Sequence, residues 1–181
     1  DGAGGAGRPS ANSRGDRRAG ATGELPQVGQ VTGLGVTERI YAVRFMGEVG
    51  YVVTFRETDP LYVLDLRDPT APKVTGELKI LGYSAYLHPV GEDLLLGVGQ
   101  DADERGRTLG LQLSLFDVSD PAAPALRSQV ALADGASDVE YDHRAFLHWP
   151  ATGLTAVPFQ RWVDWGDPAV RRDPEPGSGG W

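Results

Sequence analysis

The chain has no cysteine and only two lysines, one methionine and one asparagine. Without thiols there is no disulfide framework, no thiolate metal site and no cysteine nucleophile. No apolar run approaches the ~18–20 residues that a membrane-crossing helix needs. Excess positive charge is missing too: 25 acidic residues outweigh 17 basic ones, for a net charge of −8. That balance argues against a surface for nucleic acid or anionic lipid. Arginine outnumbers lysine 15 to 2, and Ile40 and Ile80 are the only isoleucines, a bias that fits GC-rich coding and carries no folding information. No charged stretch followed by an apolar one reads as a signal peptide in these residues, which open on Asp1.

What the chain does hold is 25 Gly, 13 Pro and a 40% share of hydrophobic residues over 181 positions, enough for one domain with a core. Residues 1–27 are expected to be a disordered Gly/Ala/Arg-rich tail or linker. Residues 1–24 contain no aromatic side chain, and such a composition cannot bury enough surface to offset the entropy of ordering. The triplet Arg14-Gly15-Asp16, which some integrins bind, arises easily by chance in a stretch like this. From Val28 the texture changes to short apolar runs broken by Gly and Asp-Pro clusters. Strands are expected near Tyr41–Met46, Tyr51–Phe55, Leu61–Leu66, Val74–Ile80, Ser84–Pro89, Leu94–Gly99, Leu111–Val118, Leu126–Leu132, Asp138–Trp149 and Leu154–Phe159. No segment carries a stripe with a period of about 3.6 residues. The chain reads as all-β.

One motif occurs twice, as Leu64-Asp65-Leu66-Arg67-Asp68-Pro69-Thr70-Ala71-Pro72 and as Phe116-Asp117-Val118-Ser119-Asp120-Pro121-Ala122-Ala123-Pro124, 52 positions apart. Each is a strand end, an Asp that accepts local backbone N–H bonds, and a Pro that presets φ for a tight turn. A weaker strand–turn–strand element begins at Phe45, His88 and His148, with spacings of 43 and 60. Four strands per unit of roughly 40–50 residues point to propeller blades. Counting from the axis outward as strands A to D, blade one covers Tyr41–Ile80 and blade two Ser84–Leu132, and a third begins and stops. The expected architecture is an incomplete β-propeller of about two and a half four-stranded antiparallel blades over residues 28–160, with residues 161–181 an irregular C-terminal tail. A two-sheet sandwich is the competing all-β reading.

The blocks DPLYVLDL, GELKI, YLHP, SLFDVSDP and DHRAFL within residues 28–160 resemble the bacterial and archaeal secreted β-propeller-domain proteins, distantly similar to WD40 repeats. Members of that family are generally much longer. The resemblance implies an exported protein, extracellular or in the cell envelope, and implies no known reaction.

Unequal spacings locate two insertions, one in the B–C loop Gln100–Gly110 and one in the D–A connection Asp134–His143. In an up-and-down blade these connections leave on one face of the disc, and the tight Asp-Pro turns on the other. Long loops on a rigid scaffold are where binding resides. The candidate contact residues are therefore Asp101, Asp103, Glu104, Arg105, Arg107, Asp138, Glu140, Asp142 and His143. Asp101-x-Asp103-x-x-Gly106 has the opening spacing of a Ca²⁺ loop, so Asp101 and Asp103 are the candidate metal ligands. Arg105 at the fifth position and Gln112 at the twelfth depart from that pattern. Asp142-His143 resembles the Asp and His pairs that pin blades together through buried hydrogen bonds. His88 and His148 occupy equivalent strand–turn junctions, which favours packing over catalysis.

No G-x-S-x-G and no complete nucleotide-binding glycine loop is present. The function expected is an exported binding or interaction scaffold for a protein, peptide or carbohydrate. The rival is a hydrolase or lyase whose carboxylates converge near the axis, with Ca²⁺ as a structural or catalytic ion. Trp162 and Trp165 are aromatic residues that such a loop face could use. Open flanks predict self-association or a need for further blades.

Overall fold

The computed structural model describes residues 12–17, 26–55 and 59–162, the first of these as backbone alone. Trp165 and the rest of the expected tail beyond Trp162 lie outside the described residues. Two four-stranded antiparallel sheets form the body. Blade one is β3 (Arg39–Met46), β4 (Val49–Phe55), β5 (Asp59–Asp65) and β6 (Lys73–Ile80), each paired with the next. Blade two repeats that order with β7 (Tyr83–Pro89), β8 (Leu94–Ala102), β9 (Thr108–Asp117) and β10 (Ala125–Ala133). The inner strands β3 and β7 lie against each other, while the outer strands β6 and β10 barely meet. The sheets therefore splay outward from a common side, as blades do around an axis.

Both Asp-Pro motifs fold as expected. Asp65 Oδ1 accepts from Arg67 N at 3.1 Å and Asp68 Oδ1 from Thr70 N at 2.9 Å. In blade two Asp117 Oδ1 accepts from Ser119 N at 3.2 Å and Asp120 Oδ1 from Ala122 N at 2.9 Å. Leu66 N donates to Glu48 O, and Val118 N to Asp93 O, both at 2.8 Å. These bonds tie each C–D turn to the A–B turn beside it, so both kinds of turn share one face.

The apolar side chains collect between blades rather than within one. Tyr51, Val53, Leu61 and Val63 of blade one meet Leu87, Leu95 and Phe116 of blade two. On the far side of blade two, Val98 and Leu111 pack with Val139, Phe146 and Val157. On the near side of blade one, Val52 and Leu64 meet Val31 and Leu34. A sheet covered on both faces needs no alternation, which is why β4 is buried from Gly50 to Phe55.

Val31 and Leu34 belong to β2 (Gln27–Leu34), which pairs antiparallel with β1 (Asn12–Arg17). β1 departs from the expected disordered tail over 1–27, since Asn12–Arg17, including the Arg-Gly-Asp triplet, is extended and hydrogen-bonded. β2 holds the place of an outer strand of a preceding blade. Gly29-Gln30-Val31-Thr32-Gly33-Leu34-Gly35 aligns with Gly76-Glu77-Leu78-Lys79-Ile80-Leu81-Gly82 at a spacing of 47. A Cβ on Gly29 would collide with Pro69 O and stand 2.8 Å from Pro72 Cδ. One on Gly76 would collide with Pro121 O and stand 2.9 Å from Pro124 Cδ. In both places an outer-strand glycine admits the Pro-x-x-Pro turn of the next blade. The junction that follows also repeats: Gly35, Gly82 and Asp134 all adopt positive φ, at 50°, 82° and 58°.

A second correction concerns Asp138–Trp149, expected as one strand. It is two 3-10 turns, Asp138–Glu140 and His143–Ala145, followed by the short strand β12 (Leu147–Trp149). Ser137 and Glu140 form a reciprocal capping box, and the Asp142 side chain caps the second turn. Such local side-chain bonds compete with a strand ladder and here win. β12 pairs with β13 (Leu154–Ala156) as the start of a third blade. Beyond it β14 (Gln160–Arg161) returns to pair with β11 (Gly135–Ala136).

Every residue of β10 is exposed, Leu126, Val130 and Leu132 included. The open flank expected from the sequence is present.

The close approach at Gly76 decides the sign of one substitution. Alanine in a strand normally gains about 0.5–1 kcal/mol over glycine. Here overpacking of about 1–3 kcal/mol against the Pro121 carbonyl outweighs it. Gly76→Ala is expected to lower stability in urea denaturation, whereas Glu77→Ala, on the exposed face beside it, stays within about 0.5 kcal/mol of the parent.

Candidate functional site

The two insertions do meet. Gln100, 3% exposed at the end of β8, donates from Nε2 to Glu140 Oε1 at 2.6 Å. Asp134 N donates to Leu109 O at 3.1 Å, binding the D–A connection to the B–C hairpin. Gln160 Nε2 reaches the Asp138 carboxylate at 3.1 and 3.2 Å, and Trp162 N donates to Asp134 O at 2.6 Å. The segment Gln160–Trp162 thus lies across the same face, and Trp162 is exposed there.

Much of the expected long loop Gln100–Gly110 is strand. β8 runs to Ala102, β9 starts at Thr108, and only residues 103–107 turn. Asp103 closes that turn, accepting from Arg105 N at 2.9 Å, from Arg107 N at 3.0 Å and from Arg107 Nε at 2.8 Å. These bonds, with the Arg107 charge, hold the Asp103 carboxyl below its ordinary range. Both of its oxygens are engaged by N–H groups, so the donor set does not fit a Ca²⁺ loop. Asp101 sits one pair further in, opposite Gly110. Glu104 and Arg105 are exposed at the tip. Among the described residues no three of His, Asp and Glu gather as a metal-binding group.

Asp142 and His143 do not pin blades through a buried bond. Asp142 binds Arg144 N and Nε, each at 3.0 Å, and His143 is exposed. The inter-blade pin is made by other residues. Arg44 on β3 donates to Leu87 O at 2.7 Å and to the Tyr86 hydroxyl at 3.2 Å. That hydroxyl is 3.2 Å from His88 Nδ1, and the His88 ring lies 4.6 Å from Phe146 and 5.3 Å from His148. The packing role expected for His88 and His148 agrees with this arrangement.

One cavity at the loop-rich end was not foreseen. It holds about 280 Å³ and is lined by Arg39, Ile40, Tyr41, Tyr83, Ala85, Glu140 and Tyr141. These residues stand where three successive blades begin, so the cavity is the mouth of the axis. The rings of Tyr41 and Tyr83 are 4.3 Å apart, and Phe55 braces both at 5.9 and 4.9 Å. The Arg39 guanidinium lies 5.5 Å over Tyr41. Burial first, then the negative charge of Glu140, pushes the Tyr83 phenol well above the usual tyrosine range, so it stays a neutral donor. Glu140 Oε1 also accepts from Ser137 N at 3.0 Å, which fixes the carboxylate while its second oxygen has no partner among the described residues. Tyr141 is 88% exposed above the opening. Of the expected site residues only Glu140 lines this mouth; Asp138 and Asp142 flank it in sequence. Sequence reading passed over a recurring signal, a tyrosine near the start of the inner strands β3 and β7, with Tyr141 in the turns that precede the third.

A larger groove of about 400 Å³ lies on the tight-turn face, between Glu48, Arg67, Thr75, Asp120 and Pro121. It is the crevice between two consecutive C–D turns. Asp65 and Asp120 there are committed to the turns themselves. The smaller axial mouth, with polar groups left unpaired, is the better candidate.

A family model described as a beta propeller domain matches residues 21–175. An uncharacterized protein of Archaeoglobus fulgidus is 47% identical over 135 residues, covering 75% of this chain and 21% of its own length. An uncharacterized protein of Methanocaldococcus jannaschii is 50% identical over 124 residues, covering 68% of this chain and 19% of its own. The chain spans about a fifth of the length of these relatives.

Two outcomes follow from the site geometry. Burial, then Arg44 and His148, lower the His88 pKa below 6.5. The unfolded chain then takes up the proton more readily, so the His88 contribution is complete above about pH 6.5 and is lost as the pH falls below it. Asp65, Asp103, Asp117 and Asp142 are all held below the ordinary carboxylate range, so their losses come at lower pH. Amide protection factors in β12, which remove the intrinsic pH dependence of exchange, should fall between pH about 7.5 and about 5.5, and His88→Phe should flatten that response. Added calcium should leave the thermal midpoint unchanged, whereas Asp103→Asn should speed exchange in the 103–107 turn without any calcium effect.

Proposed function

Because the chain belongs to the beta propeller domain family, we propose that it serves as a binding scaffold whose contact surface is the loop-rich face, centred on the axial mouth. The observation that carries this reading is the convergence of three blade starts on one open cavity. The cavity holds an unpaired guanidinium, a fixed carboxylate and three tyrosines. Strands place Arg39, Tyr41 and Tyr83, and a capped turn in the connection before the third blade places Glu140 and Tyr141, an arrangement in which loops on a scaffold build ligand contacts. Only one carboxylate, Glu140, lines the mouth among the described residues, which favours binding over hydrolysis. Placement outside the cell, implied by the family resemblance, is part of the same proposal. Among the described residues no helix is long and apolar enough to cross a membrane.

A ligand-observed NMR screen of small polar fragments on the full chain tests the site. Fragments should bind at the mouth, and Arg39→Ala or Tyr141→Ala should weaken them by about tenfold, the scale of losing an aromatic or arginine anchor. Glu48→Gln on the tight-turn face should leave them unchanged. Fragments that lose binding with Glu48→Gln and ignore the Arg39 and Tyr141 changes would contradict the proposal.

A further inference from the structure

We propose that the axial mouth takes a neutral saccharide ring. The inference rests on the reading of this cavity as the ligand site and adds the chemical class.

Charge narrows the class first. Arg39 and Glu140 both line one small cavity, and neither has an ion-pair partner among the described residues. A cationic ligand would meet the Arg39 guanidinium already lying over Tyr41. An anionic one would meet Glu140 and the acidic groups beside it, Asp138 among them. A neutral ligand with many hydroxyls makes both charged groups useful: the guanidinium donates and the carboxylate accepts.

Shape narrows it further. Tyrosines offer an apolar plane with a polar edge. A pyranose offers the complement, a face of C–H groups rimmed by hydroxyls. Tyr141, almost fully exposed, supplies a plane at the opening, and Tyr83 supplies a phenol that stays protonated. Gln100 and Ser137 hold Glu140 in place before any ligand arrives, so little ordering is lost on binding. The volume of about 280 Å³ suits one ring, being just under the ~300–1,000 Å³ typical of drug-sized sites. Glycosidic cleavage uses two carboxyl groups ~5–9.5 Å apart. Among the described residues one carboxylate lines this cavity, so the proposal is binding of the ring and not its cleavage.

Saturation-transfer NMR on the full chain tests the class. The probes are the methyl glycosides of glucose, galactose and mannose together with N-acetylglucosamine. Glucuronate and arginine methyl ester serve as the charged counterparts. At least one neutral sugar should receive saturation at its ring C–H protons. Arg39→Ala and Glu140→Gln should each weaken it by about tenfold, and Tyr141→Ala should remove the ring-face transfer, with the amide spectrum of each variant otherwise retained. Arg39 and Tyr141 are surface side chains, so these two variants remain informative if Glu140→Gln disturbs its turn. Transfer to the arginine ester or glucuronate alone would overturn the saccharide class and leave the cavity as a site. Fragment binding at the mouth with no sugar bound would do the same. If no fragment binds there either, the reading of the cavity itself fails.

Discussion

Each four-stranded sheet in this chain is too narrow to shelter its own apolar side chains, so the structure depends on the contact between one blade and the next. That contact has two parts. Near the axis, inner strands meet through Tyr41, Tyr83, Leu87 and the Arg44 hydrogen bonds. Further out, a glycine in the outer strand leaves room for the next blade's Pro-x-x-Pro turn, at Gly29 and again at Gly76. In the outer strand of blade two, Ser128 stands where the alignment places the third glycine. That strand is exposed throughout.

The same geometry separates building from binding. On one face the turns are short and their carboxylates spend their lone pairs on their own backbone, as Asp65, Asp68, Asp117 and Asp120 do. On the other, connections can lengthen without disturbing the inter-blade layers. The extra residues there were used in two ways. In blade two they prolonged a hairpin and closed it with Asp103 and Arg107. Before the third blade they made two capped turns that carry Glu140 and Tyr141 to the axis. The second use turns a gap between blade starts into a cavity.

The repeat was legible because Asp-Pro turns need particular residues at particular positions, and two copies occur. Eight strands follow from it within about three residues of their observed ends. β2 was not among the expected strands, although the β-type texture was read from Val28: only Val31 and Leu34 along it are fully buried hydrophobic residues. Its role shows only beside β6, where Gly29 and Gly76 meet the same turn. Asp138–Trp149 misled for the opposite reason, being apolar enough for a strand while Ser137 and Glu140 spell a capping box. The two insertions were expected on one face, and the bond from Gln100 to Glu140 joins them. Counting charges could not distinguish Asp103 and Asp142, consumed by neighbouring arginines, from Glu140, held with one oxygen available.

The account rests on one packing rule used at consecutive blades, and NMR can observe that rule directly. It predicts strong cross-relaxation between the Gly76 Hα protons and Pro124 Hδ, and the same between Gly29 Hα and Pro72 Hδ, since a built Cβ falls 2.9 and 2.8 Å from those proline carbons. Finding the first pair without the second would mean that β2 is not the outer strand of a preceding blade. Finding neither would contradict the propeller packing from which the axial mouth is derived.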